Sequence, residues 1–213
     1  MLRLRSALRG WRGPVLAAAL LAAIAAAWQL LRDQASAGNR SEGARLMAEL
    51  MSGKGPVGGP FKLTDPDGRQ WSLPDFQGKL VLLYFGFTHC PDVCPTDLAA
   101  IGQLVRSLGS DGDQLQPVFV TLDPQRDTRE ILRAYATSFH PRFVSLSGSE
   151  EEIRRVATAY KVYFEKVRPP GANTYFIDHT AYTFLLGRDG RFITLFPPGT
   201  PPERMAVMVR EHL

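Results

Sequence analysis

Two apolar runs stand out along the chain, and they predict two different elements. Residues 15–31 (VLAAALLAAIAAAWQLL) contain a glutamine as their only polar member. As a helix this run would extend about 25 Å, enough to cross the hydrocarbon core of a bilayer or nearly so. Residues 80–87 (LVLLYFGF) are rich in aromatic and branched side chains that do not alternate with polar ones. This second pattern predicts a strand buried on both faces.

The pattern after the second run predicts an alternation of helices and strands. Apolar residues at helical spacing predict helices at 96–108, 128–139, 149–160 and 200–212, with Ser149 and Glu152 as a capping box and Thr200 as the last N-cap. Strands are predicted at 118–122, 143–147, 163–167 and 174–177. Turn sequences DPDG and RDG predict hairpins of 61–64 with 70–72 and of 183–187 with 191–196.

The order of these elements predicts the fold class. Strands and helices alternate first and an antiparallel hairpin follows, which is typical of an α/β domain with a mixed sheet. We therefore expect a thioredoxin-like mixed sheet flanked by helices, with an N-terminal β-hairpin and a single N-terminal transmembrane helix. The predicted organisation is a basic cytoplasmic segment (1–12), a transmembrane anchor (13–32), a tether (33–57) and the thioredoxin-like domain (58–213).

The charge distribution gives the anchor an orientation and excludes one class of partner. Four arginines precede the apolar run, so the positive-inside rule places the N-terminus in the cytoplasm and the domain outside. A signal peptide cleaved after the small residues at 35–37 is the alternative. The same four arginines account for the whole net charge of +4, because 25 − 4 = 21 basic residues balance 21 acidic ones. The neutral body predicts no nucleic-acid binding.

The only two cysteines of the chain follow the buried strand directly. Cys90 and Cys94 are expected at the carboxyl end of a sheet where a helix begins, a position that favours the thiolate form. Three residues separate them, whereas thioredoxin-type redox enzymes have two. Two soft thiolates select Cu(I), and an imidazole nearby would let the site hold Cu(II) as well. A structural zinc needs four ligands, and a purely stabilising disulfide across so short a loop gains little entropy.

One histidine is the candidate third ligand. His179 lies just before the predicted strand at 183–187, the part of a thioredoxin-like fold that faces the cysteines. The alternative is a loop or core histidine. His89 adjoins Cys90, but neighbouring side chains at a strand end project in opposite directions, so we interpret it as a non-ligand.

Acidic residues near these positions are candidates for supporting the ligands. Asp92 lies inside the cysteine turn and could orient ligands or contact a partner, the alternative being ordinary turn formation. Asp178 could hold the His179 ring through a hydrogen bond. The charged loop with Asp123, Arg126 and Asp127 is predicted at the same sheet edge, as a solvated loop or a docking surface.

Four segments of the chain resemble one known family. Residues 58–68 (GGPFKLTDPDG), 87–95 (FTHCPDVCP), 120–128 (VTLDPQRDT) and 175–186 (YFIDHTAYTFLL) are similar to the Sco/SenC family. The resemblance implies a membrane-anchored, thioredoxin-like copper protein that helps to assemble the binuclear copper centre of cytochrome c oxidase. It also implies that Cys90, Cys94 and His179 are the copper ligands.

The function expected from the sequence is therefore that of a copper metallochaperone for Cu(I) and Cu(II). The expected partners are the copper-bearing subunit of cytochrome c oxidase and either another copper chaperone or a thioredoxin-like reductant. The alternative is an enzyme, a thiol-disulfide reductase that uses Cys90 and Cys94 to keep the cysteines of that subunit reduced. The expected location is a bacterial inner membrane with the domain in the periplasm, the alternative being a mitochondrial inner membrane with the domain in the intermembrane space.

Overall fold

The computed structural model describes residues 19–30, 32, 57–171 and 173–213. The chain divides into two compact units, residues 1–48 and residues 49–213. In the first unit, residues 19–30 are helical. Within the described ranges no helix is both long enough and apolar enough to cross a membrane. Most of the predicted basic segment, anchor and tether (1–18, 31 and 33–56) lies outside the described residues, so that organisation stays a prediction.

The second unit contains nine strands and four α-helices in its described residues. In chain order they are β1 (Lys62–Thr64), β2 (Gln70–Ser72), β3 (Leu80–Gly86), α1 (Val93–Ser107), β4 (Leu115–Thr121), α2 (Arg129–Phe139), β5 (Val144–Leu146), α3 (Glu150–Ala159), β6 (Phe164–Val167), β7 (Phe176–His179), β8 (Thr183–Leu186), β9 (Phe192–Phe196) and α4 (Pro202–Arg210).

The apolar run after residue 79 forms the central strand of a five-stranded mixed sheet. Its order is β5-β4-β3-β8-β9, with β3 parallel to β4 and antiparallel to β8. All seven residues of β3 are buried, which agrees with its lack of alternation. Helix α1 packs against α4, and α2 packs against β5. The predicted mixed α/β sheet with flanking helices is confirmed, and β1 and β2 form the predicted N-terminal hairpin.

The strands β6 and β7 form a separate antiparallel hairpin that lies outside the main sheet. Strand β7 begins two residues later than predicted, so His179 is its last residue and pairs with Phe164. Strand alternation points Ile177 to the buried side and Asp178 to the exposed side. The histidine therefore lies in a strand rather than in the loop before β8.

Two helix starts differ from the prediction. Helix α1 begins at Val93 rather than at residue 96, which places Cys94 in its first turn. In α4 the N-cap is Pro201, because the Thr200 hydroxyl donates to the Pro197 carbonyl instead of capping the helix. The capping box of Ser149 and Glu152 at the start of α3 is confirmed.

Candidate metal centre

The two cysteines lie where β3 passes into α1. Cys94 is completely buried and Cys90 is half-buried. The last residue of β3 is Gly86, and a Cβ atom there would lie 2.8 Å from the sulfur of Cys94. Because real Cβ atoms do not approach a sulfur so closely, a glycine at this strand end leaves the space that the buried thiol fills.

The two cysteines differ in how readily they lose their protons. Both cysteines are free, and a hydrogen bond from the Cys94 thiol lowers the pKa of Cys90 far below its usual range. Backbone N–H groups act in the same direction, including that of Cys94 at 3.5 Å from the Cys90 sulfur. The same hydrogen bond, together with burial, raises the pKa of Cys94. Of the two sulfurs, Cys90 is therefore the one that loses its proton more readily.

His179 faces the buried sulfur with one defined ring nitrogen. Its Nε2 lies 3.7 Å from Cys94 Sγ, and its Nδ1 lies 3.1 Å from the Thr180 carbonyl oxygen. A carbonyl oxygen only accepts, so Nδ1 carries the proton in this contact and Nε2 keeps a free lone pair. The ring also packs edge-on against Phe87, with centroids 5.8 Å apart. This is the tautomer in which an imidazole binds a metal through Nε2.

His89 makes its polar contacts with Asp127 and Thr88. Its side chain is 47% exposed, and its Nδ1 lies 3.6 Å from Asp127 Oδ1 and 3.1 Å from the Thr88 hydroxyl. These contacts hold the ring beside Thr88 and Asp127, whereas the ring of His179 contacts the sulfur of Cys94. The interpretation of His89 as a non-ligand agrees with this geometry and stays a prediction.

The two acidic residues that were expected to support the ligands act differently. Asp178 is exposed, and the His179 Nδ1–H donates to the Thr180 carbonyl oxygen and not to the Asp178 carboxylate as predicted. Asp92 is the N-cap of α1, and its side chain makes no capping hydrogen bond. Its contribution comes from the backbone, because its N–H group bonds to the sulfur of Cys90.

Two buried residues beneath the cysteines were not expected from the sequence. Asp97 is 5% exposed and accepts a hydrogen bond from the Gly199 N–H at 2.8 Å, and burial raises its pKa. Tyr84 is fully buried, and its pKa is raised first by burial and then by the neighbouring Cys94. The burial of Asp97 could have been predicted from helical spacing, because Asp97 lies on the same face of α1 as Leu98 and Ile101.

The two cysteines and His179 are suitable copper donors, but their side chains do not have the geometry of a metal-bound site. In the part of the chain that the structure describes, no group of three or more His, Cys, Asp or Glu side chains lies in a geometry that would hold a metal ion. The structure brings together the sulfurs of two free cysteines and an imidazole nitrogen. Two sulfurs suit soft Cu(I), and one imidazole extends the set to Cu(II).

Comparison with known proteins identifies the family. A bovine protein described as a mitochondrial SCO2 homolog is 36% identical over 207 residues, covering 96% of this chain and 76% of that protein. An SCO2-like protein of Rickettsia prowazekii is 42% identical over 66% of this chain and 69% of its own length. The structure of Bradyrhizobium japonicum ScoI with copper bound is similar at 43% identity and a TM-score of 0.68, covering 74% of this chain and 99% of that one. The SCO1/SenC family model matches residues 50–213, and the chain therefore belongs to the SCO1/SenC family.

Proposed function

We propose that this protein is a copper metallochaperone that binds Cu(I) and Cu(II) through Cys90, Cys94 and His179. It would deliver copper to the copper-bearing subunit of cytochrome c oxidase and so help to assemble the binuclear copper centre. One observation carries the proposal: the lone pair of His179 Nε2 faces the buried sulfur of Cys94 at 3.7 Å, across a long sequence separation. The related ScoI structure with copper bound supports the same metal.

The proposed ligands differ in their readiness to bind. Cys90 has the lowered pKa and is the more exposed of the two, so it would meet the incoming Cu(I) first. Cys94, whose pKa is raised, would have to release its proton as copper binds. Because Cys90 is the more exposed ligand, thiolates of the recipient would compete for copper from that side.

A second candidate function is thiol-disulfide reduction, and the lowered pKa of the more exposed Cys90 favours it. The Cys90 thiolate would attack one sulfur of a disulfide in the oxidase subunit, which releases the other sulfur as a thiolate. Cys94, after losing its proton, would then attack Cys90 and release the second cysteine of the partner. The protein would end with a Cys90–Cys94 disulfide and would need a thioredoxin-like reductant to return to the dithiol.

The role of the imidazole separates the two functions. Thiol exchange needs no imidazole ligand, so a reductase should tolerate His179→Ala, whereas a copper chaperone should fail. We expect His179→Ala to reduce assembly of active cytochrome c oxidase in cells as severely as Cys90→Ser does, measured by oxidase activity at low copper supply. Full assembly with His179→Ala would contradict copper delivery and favour the reductase. Thiol titration and metal analysis of the purified protein complete the test.

We also propose that residues 13–32 anchor the domain in a bacterial inner membrane with the domain in the periplasm, the alternative being a mitochondrial inner membrane. The relatives that support this include a mitochondrial protein and a bacterial one. The full-length protein is expected to stay in the membrane fraction after a carbonate wash, and protease added outside should digest the domain. Release of a mature chain that begins near Gly38 would show a cleaved signal peptide instead.

A further inference from the structure

The loop that follows β4 contacts both elements that carry the proposed copper ligands. Two buried carboxylates of this loop make the contacts. Asp127 accepts a hydrogen bond from the turn before Cys90. Asp123 accepts one from the segment before β7, the strand that ends at His179.

Asp127 holds the cysteine turn to the main sheet. It is 2% exposed and accepts hydrogen bonds from the Thr88 N–H at 3.1 Å and from the Thr88 hydroxyl at 2.6 Å. It also accepts from the Thr121 hydroxyl at 2.5 Å, and that hydroxyl in turn accepts from the Asp123 N–H at 2.9 Å. A continuous path of hydrogen bonds therefore joins the cysteine turn to Asp123.

Asp123 continues this path to the hairpin of β6 and β7. Its carboxylate is completely buried, pairs with the guanidinium of Arg126 and accepts from the Tyr175 hydroxyl at 2.8 Å. The guanidinium of Arg126 stacks over the Tyr175 ring at 3.7 Å and donates to the Tyr175 carbonyl at 2.9 Å and to the Thr174 hydroxyl at 3.1 Å. Tyr175 immediately precedes β7, so its position determines where that strand begins.

The other strand of the hairpin is tied to the body as well. Lys166 of β6 donates to the Gln125 side chain at 3.0 Å and pairs with Glu150 at 2.8 Å. Gln125 belongs to the same loop as Asp123 and Arg126. Both strands of this hairpin therefore reach the loop after β4 through charged or polar contacts, whereas their backbones pair only with each other in the described sheets.

We propose that Asp123, Arg126 and Tyr175 are positioning residues that hold the His179 strand at its distance from the cysteines and thereby determine the affinity for Cu(II). The inference rests on the proposed function, because it explains how the His179 imidazole is held in place to bind Cu(II). Cu(I) is satisfied by the two thiolates, so loosening the hairpin should weaken Cu(II) and leave Cu(I) nearly unchanged. Outer contacts that orient a metal-binding histidine commonly change metal affinity by about 10–100-fold.

The test is Tyr175→Phe in the purified full-length protein, because this change keeps the ring under Arg126 and removes only the hydroxyl that binds Asp123. We expect about tenfold weaker Cu(II) binding, with less intense thiolate-to-Cu(II) absorption, and a Cu(I) affinity within about twofold of the wild type. Arg126→Lys, which removes the stacked guanidinium, should change Cu(II) binding in the same direction. Tyr163→Phe, at an exposed tyrosine beside β6, is the matched control and should change neither affinity.

A second measurement needs no metal. In the copper-free Tyr175→Phe protein, amide hydrogen exchange at residues 176–179 should become about tenfold faster while exchange in β3 and β4 stays the same, because the hairpin opens locally. Equal exchange at residues 176–179 in the wild type and the variant would overturn the positioning role, and so would an unchanged Cu(II) affinity. A wild-type protein that binds no copper would overturn the proposed function instead, and hydrogen exchange would still decide the positioning role.

Discussion

Cys90→Ser and Cys94→Ser are each expected to remove tight copper binding in both oxidation states. A hydroxyl is a hard, protonated donor at neutral pH, and one remaining thiolate does not hold Cu(I) against competing thiols. For scale, four-ligand Zn²⁺ sites of thiolates and imidazoles bind their metal with about 10–16 kcal/mol, or roughly 3 kcal/mol for each ligand. The loss of one sulfur should therefore weaken Cu(I) binding by about a hundredfold or more.

Competition between the protein and a Cu(I) chelator measures this loss. Cys90→Ser is the cleaner of the two variants, because Cys90 is half-buried and its replacement leaves the core intact. Cys94 is completely buried, so the thermal midpoint of Cys94→Ser has to be recorded alongside its affinity. A Cys90→Ser protein that keeps wild-type Cu(I) affinity would contradict the assignment of the two sulfurs as ligands.

His179→Ala is expected to separate the two oxidation states. Cu(I) binding should remain measurable through the two thiolates, whereas the stable Cu(II) complex and its thiolate charge-transfer absorption should be lost. The physical reason is that Cu(II) prefers imidazole or oxygen donors and tends to oxidise bare thiols. Optical and paramagnetic resonance spectra during a Cu(II) titration, together with a Cu(I) titration under chelator competition, measure the difference.

His89→Ala is the matched control for this experiment. His89 adjoins Cys90 in sequence, yet its ring lies beside Thr88 and Asp127. We expect its removal to change neither the Cu(I) affinity nor the Cu(II) spectrum. Loss of the Cu(II) spectrum in His89→Ala, with retention in His179→Ala, would show that the other histidine is the ligand.

Local signals predicted the elements that carry the cysteines. The apolar run after residue 79 was expected to be a doubly buried strand, and β3 covers Leu80–Gly86 with every residue buried. The capping box at Ser149 was equally visible, because its two partners lie three residues apart. The start of α1 was misplaced by three residues: Asp92 is a residue type favoured at N-caps and occupies that position, but its side chain makes no capping hydrogen bond.

The long-range part of the site depended on pairing that no local pattern contains. Residues 163–167 and 174–177 were predicted as strands, but their mutual register was not. That register makes His179 the partner of Phe164 and turns Asp178 outward, which is why the Thr180 carbonyl, and not Asp178, holds the imidazole. The loop with Asp123 and Arg126 was likewise interpreted as solvated or docking, whereas Asp123 is buried against Tyr175.

The sequence by itself determined the α/β class, the central strand, the cysteine pair at its carboxyl end and, through four short motifs, the family. These features depend on residue types and spacings within one segment, where periodicity and turn chemistry act directly. Only the tertiary structure decided that His179 presents Nε2 to the sulfur of Cys94 and that the loop after β4 joins the two ligand-bearing elements. Those contacts join residues far apart in the chain, and their geometry follows from strand register and from the burial of paired charges, which act between segments and not within them.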